Sequence, residues 1–170
     1  LTACAFVNSG SEANDIAWRM ARAWTGNQGF LTQEFAYHGI TEAIDAISPS
    51  ALRRGESPAH VRTLLGPDGY RGIHKQGTPD IGKRYAEDAD QAIRSLAEAG
   101  MKRAAIITDM AFMTNGILEP CPGYVADLFA RVRAAGGLCI SDEVQSGFGR
   151  MGRHFWGYQH HGVTPDFVTI

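Results

Sequence analysis

No stretch of this 170-residue chain strings together the roughly 18 apolar residues that a membrane-crossing helix requires, which leaves no candidate for one. Charge of one sign is missing too. Sixteen Lys and Arg stand against 18 Asp and Glu, a formal net charge of -2, so there is no basic field to hold nucleic acid. Cysteine is scarce and unpatterned: Cys4, Cys121 and Cys139 form no CxxC pair. An odd count without a framework points to reduced thiols and a cytoplasmic setting. Internal repeats, low-complexity tracts and an internal domain boundary are absent as well. The chain opens with Leu1 rather than Met, and the expectation is a segment of a longer protein. What is present, 44% hydrophobic and 20% charged residues, suits one globular domain with a real core.

Strand and helix patterns alternate along the chain. SEANDIAWRMARAW, 11–24, sets Ala13, Ile16, Ala17, Met20, Ala21 and Trp24 at helical spacing, and Gly26 follows as a stop. GFLTQEFAYHG reads as a short strand and then a loop. Residues 45–86, rich in Gly, Pro and Arg, read as irregular apart from a short strand at His60–Leu64. A helix is expected over 87–99, a buried strand over 104–109 (AAIITD), a helix over 123–135, a second buried strand over 138–142 (LCISD) and a third beginning in PDFVTI. Short apolar strands separated by helices imply an α/β fold, a mostly parallel sheet flanked by helices. Ligands in such sheets bind beyond the carboxyl ends of the strands. That rule selects the loops at Ser9 and Tyr37, and the strand ends Asp109 and Asp142.

Each of these places has a chemistry. Ser9 and Glu12 have capping-box spacing, which serves either as an ordinary helix start or as an anion cradle. In the second case the first-turn amides of Gly10, Ser11 and Glu12 face the ligand, Gly10 admits it closely, and Ser11 adds a hydroxyl. Asp142 ends a buried strand in ISDEVQSGFGR and needs a partner, because an unpaired buried charge is costly. A cationic ring nitrogen would serve, as would an arginine of the chain. Tyr37, in AYHG, offers a face for a flat ring or else belongs to the core. One phosphate, one cationic heterocyclic nitrogen and one stacking face together describe pyridoxal 5'-phosphate.

At that point the chain resembles the large domain of class III aminotransferases, among the fold type I pyridoxal phosphate enzymes. NSGSEAND, AYHG, AAGGLCISDEVQSGFGRMG and PDFVTI carry the resemblance in the family's order and nearly from end to end. It implies a partial cofactor-binding large domain over 1–170, the middle of a larger sheet of seven-stranded type. It also implies transfer of an amino group from an amino acid or amine to a 2-oxo acid, in a homodimer. By resemblance Gly10 and Ser11 bind the phosphate, Tyr37 stacks on the ring with His38 and Gly39 completing its loop, and Asp142 pairs with the ring nitrogen. Val144 packs on the opposite ring face and Gln145 lies near the ring hydroxyl oxygen. Glu143, which a strand points the other way, reads as structural. The pattern departs at Asp109-Met110 and Phe112, where much of the family has Glu-Pro and then a glutamine. Asp109 is kept as a catalytic candidate beside Asp142, and Glu119-Pro120, ten residues on, is set aside as a decoy.

The chemistry also needs a lysine to hold the cofactor as a Schiff base. Lys75, Lys83 and Lys102 are the only lysines, and none lies in a matching motif. In the family it follows the strand matching PDFVTI, which would place it about two residues past Ile170. The N-terminal segment and C-terminal small domain would likewise lie outside, and the isolated stretch would be inactive. Two other readings stay open. Gly147 to Gly152 satisfies G-x-G-x-x-G, with Asp166 at nearly the right distance for a dinucleotide fingerprint, although DEVQS intervenes between strand and motif. ISP at 47–49 and FWGYQ also resemble a branch of lyases that act on phosphorylated amines. No metal is expected: His160-His161 reads as surface loop, Arg53-Arg54 as solvated, Arg150 as internally paired, and Trp156 and Tyr158 as packed beneath the last strand.

Overall fold

A computed structural model describes residues 3–50 and 57–170. Arg53 and Arg54 lie outside the described residues. Five parallel strands form one sheet: β1 (Gly29–Gln33), β2 (Val61–Leu64), β3 (Arg103–Asp109), β4 (Leu138–Asp142) and β5 (Phe167–Thr169), in the order β2-β1-β3-β4-β5. The chain leaves β1 toward one edge and returns on its other side at β3. That reversal opens a crevice at the carboxyl ends of β1 and β3.

Adjacent residues of a strand face opposite sides of the sheet. Phe30, Ala105, Ile107 and Ile140 therefore join one core, and Leu31, Ile106 and Cys139 the other. The first core is covered by α1 (Gly10–Thr25) and α2 (Glu42–Asp45). The second is covered by α3 (Ile81–Ala86), α4 (Asp88–Glu98) and α5 (Tyr124–Ala134). All the strands and the helices over 11–24, 87–99 and 123–135 lie where the sequence pattern places them, with ends moved by a residue or two.

The pattern misleads in three places. On α1 the buried face is Asn14, Ala17 and Ala21, with Trp18 packed beside them; Met20 (49% exposed) and Trp24 (82%) point outward. The helix lies against the sheet through its small residues, so Met20 and Trp24 are turned away. The irregular stretch 45–86 contains α3, a six-residue helix packed on α5 and too short to show a period. Finally, α6 (Gly157–His160) is a single turn inside the aromatic segment, where no amphipathic pattern is needed.

Candidate functional site

A cavity of about 150 Å³ opens at the carboxyl edge of the sheet, lined by Gly10, Ser11, Tyr37, His38, Gly39, Asp109, Asp142, Val144 and Gln145. Four chain segments far apart in sequence meet there.

The N-terminus of α1 forms one wall. Ser9 is the N-cap, extended at φ -156°, and its Oγ accepts the Glu12 amide at 3.2 Å. Glu12 reaches back to the Asn8 amide (2.7 Å), so the box closes one residue earlier than its spacing suggests. The Glu12 amide is thereby occupied. Those of Gly10 and Ser11 donate to nothing among the described residues and carry the positive end of the helix dipole. Ser11 Oγ accepts the Ile40 amide (3.1 Å), which docks the loop after β1 onto this helix and leaves its own proton free. The fit is tight: a Cβ on Gly39 would come within 2.5 Å of Ser11 Oγ, and one on Gly10 within 2.6 Å of Val144.

Asp142 lies at the cavity floor, 5% exposed. Its partner in the chain is not an arginine. Oδ2 accepts His38 Nδ1 at 2.8 Å and Asn14 Nδ2 at 2.9 Å, and Oδ1 accepts the Val144 amide at 3.1 Å. Because a carboxylate only accepts, the Nδ1 of His38 carries the hydrogen. His38 is itself held by its amide on Ser48 Oγ (2.9 Å) and by Nε2 near Thr32 Oγ1 (3.3 Å). Asp109 stands beside Asp142 in the β3–β4 register. Both its oxygens are occupied, by the amides of Ala111 and Met113 at 2.9 Å each. Burial, foremost, holds its pKa above the usual carboxylate value, and the Asp142 charge adds to the rise. Tyr37 is 43% exposed and Val144 49%, so neither belongs to the core; each presents an apolar face to the cavity.

Glu143 points away from the cavity, fully buried, and accepts four bonds: Ser141 Oγ, Ser146 Oγ, and the amides of Gly157 and Tyr158. It pins the loop after β4 to the start of α6. This loop shows no strand–turn–helix at Gly147 to Gly152: turns continue up to α6, so the dinucleotide fingerprint lacks its setting. His161 is not on a surface loop; its Nε2 donates to the Met110 carbonyl at 2.9 Å, and burial lowers its pKa. Tyr158 packs with the core around Met110 and Phe112 rather than beneath β5. Arg150 is exposed, with no ion pair among the described residues. Glu119 lies exposed in the approach to α5, Lys102 immediately precedes β3 at the far edge of the sheet, and no lysine lines the cavity. Among the described residues no three His, Cys, Asp or Glu gather to hold a metal.

Asn14 and Thr169 are the participants that sequence reasoning passed over. The signal was present, since Asn14 shares a helical stripe with Ala17 and Ala21 and is its one polar member.

The donor set can be matched to a ligand. Two free helix-end amides and a hydroxyl suit a phosphate. A buried carboxylate with acceptor capacity to spare suits a protonated ring nitrogen, and two apolar faces suit a flat ring. An α/β domain with a phosphate-sized helix end beside a buried strand-end aspartate is the frame of a pyridoxal phosphate protein. The chain belongs to the class-III aminotransferase family, whose family description matches residues 3–170; the family works with pyridoxal 5'-phosphate. It is 38% identical, over 100% of its length and 36% of the relative's, to "Alanine--glyoxylate aminotransferase 2-like" of Drosophila melanogaster. Among solved structures, a phospholyase from Arthrobacter in complex with phosphoethanolamine is 46% identical with a TM-score of 0.87, over 95% of this chain and 38% of that one. Taurine:2-oxoglutarate aminotransferase from Bifidobacterium kashiwanohense, in complex with pyridoxal phosphate and glutamate, is 29% identical with a TM-score of 0.79, over 95% and 37%. The chain thus spans a little over a third of the length of these proteins.

Proposed function

We propose that the protein carrying this chain uses pyridoxal 5'-phosphate to transfer an amino group from an amino acid or amine to a 2-oxo acid. One observation carries the reading: the free amides of Gly10 and Ser11 and the carboxylate of Asp142 line the same small cavity. In this reading Gly10 and Ser11 hold the phosphate through their amides and the Ser11 hydroxyl. Tyr37 and Val144 would hold the ring between them, and Gln145, which lines the same cavity, would serve the ring hydroxyl oxygen as a donor. Asp142 keeps the ring nitrogen protonated, since an anion at hydrogen-bond distance favours the charged form. His38 fixes the Asp142 rotamer. Asp109, with both oxygens engaged, shapes the turn at 110–113 and adds negative potential rather than shuttling a proton. When bound, the cofactor supplies an electron sink for the pair left as a substrate carbon loses a proton. No lysine stands among the lining residues to anchor it. A homodimer and a cytoplasmic setting belong to the same reading, and sedimentation and cell fractionation test them.

A lyase acting on a phosphorylated amine is the second reading, favoured by the 46% identity to the Arthrobacter phospholyase. Both readings need the same cofactor and the same proton loss. They part at what leaves the substrate. The test is to supply the intact protein with pyridoxal phosphate and either an amino donor with 2-oxoglutarate or pyruvate, or phosphoethanolamine. Formation of the new amino acid supports amino transfer; release of inorganic phosphate supports the lyase. Neither product, with no cofactor retained, would remove both.

A further inference from the structure

Asn14 lies one turn into α1, 1% exposed, with every polar atom engaged. Nδ2 donates its two hydrogens to the His38 carbonyl (2.7 Å) and Asp142 Oδ2 (2.9 Å), and Oδ1 accepts the Thr169 hydroxyl at 2.5 Å. The partners fix which way the amide faces. Turned over, its oxygen would meet a carbonyl and a carboxylate, neither of which donates. One side chain therefore ties α1, the loop after β1, the end of β4 and the end of β5 into one network.

The consequence for Asp142 follows from counting lone pairs. Each carboxylate oxygen accepts about two bonds. Oδ2 is filled by His38 and Asn14, while Oδ1 accepts only the Val144 amide. We propose that Asn14 is a positioning residue that locks Asp142 so that a single acceptor position, on Oδ1, remains for one N–H, that of the cofactor's pyridine ring. The inference rests on the pyridoxal phosphate reading above. A neutral amide is well matched to this role, because it orients the carboxylate without cancelling its charge, as an arginine at the same place would. Thr169 is the second half of the device, since its hydroxyl holds the Asn14 amide in the one useful orientation.

The test uses the intact protein and the variants Asn14→Ala, Thr169→Val and the pair together. Two quantities are measured: the dissociation constant for pyridoxal phosphate, by fluorescence titration of the cofactor-free protein, and protonation of the ring nitrogen across pH, by NMR of the ¹⁵N-labelled cofactor. Asn14→Ala is expected to weaken binding on the order of ten-fold, the scale for losing a hydrogen bond to a charged group. The ring nitrogen of the bound cofactor then gives up its proton at lower pH than in the wild type. Thr169→Val moves both readouts the same way by less, and the double variant is no worse than Asn14→Ala, because the two act through one contact. If Asn14→Ala does not fold, Thr169→Val, which keeps the side-chain shape, carries the test. Wild-type affinity and an unchanged ring titration in the folded variants, whatever their melting temperatures, would overturn the role of Asn14 alone. A wild-type protein that binds no pyridoxal phosphate would overturn this inference together with the functional reading.

Discussion

Gly39 shows how little room a single residue has at this site. Its φ of +138° is a conformation that L side chains avoid, and an added Cβ would meet both the backbone and the hydroxyl of Ser11. Gly39→Ala should therefore push the Tyr37 loop off the helix end, store about 1–3 kcal/mol of strain and lower affinity for pyridoxal phosphate. Gly100→Ala is the control: φ is +73° with nothing within 4 Å, so it lowers stability and leaves binding alone. Equal binding losses in the two would refute the close-approach argument. Asp109 makes a prediction in pH. Its pKa is raised in the folded protein, so its contribution to stability is complete below the ordinary value of 3.8 and fades as pH rises through the higher folded value. Asp109→Asn should flatten the fall in unfolding free energy that sets in as pH rises above 3.8, read as the difference between denaturation curves. An unchanged slope would contradict the burial argument. The residues that line the cavity were legible because Ser9-Gly10-Ser11 and Asp142 sit where strand ends and helix starts must fall. Thr32 and Thr169 were not, because a hydrogen-bond network across four elements leaves no periodic trace on a strand, and Asn14 showed only as the one polar member of its buried stripe.

At the scale of elements, the loop between β4 and α6 depends on Glu143. Four donors saturate its two oxygens, and no Lys or Arg forms an ion pair with it among the described residues. Replacing it by Gln turns one acceptor oxygen into a donor that faces two other donors. Glu143→Gln should cost about 2–4 kcal/mol, the scale of two unsatisfied groups. It should also raise amide exchange at Gly157 and Tyr158 before the rest of the domain opens. Protection at those amides equal to the wild type would count against it. The strands read cleanly from sequence because parallel strands covered on both faces are short, continuous apolar runs. On α1 the same logic failed: apolar content alone does not tell which bulky residues face out, and Trp24 and Met20 do. The one-turn α6 and six-residue α3 are held by tertiary contacts and carry no pattern of their own.

The whole molecule should gain stability from its ligand. A compound that binds only the folded state at about 100 times its Kd adds about 2.7 kcal/mol, so pyridoxal phosphate should raise the melting temperature of the intact protein and protect α1 and the Tyr37 loop together. The mixture of charges around the cavity then decides what else does so. Asp109 and Asp142 stand side by side on neighbouring strands, opposite the positive helix end, with no arginine or lysine among the lining residues. Such a bipolar chamber rejects ions that carry one sign. Inorganic phosphate or sulfate alone meets the helix end but leaves the carboxylates facing another anion. Neither should stabilise the protein much even in excess, whereas a molecule presenting an anion at one end and a cationic ring at the other satisfies both walls at once.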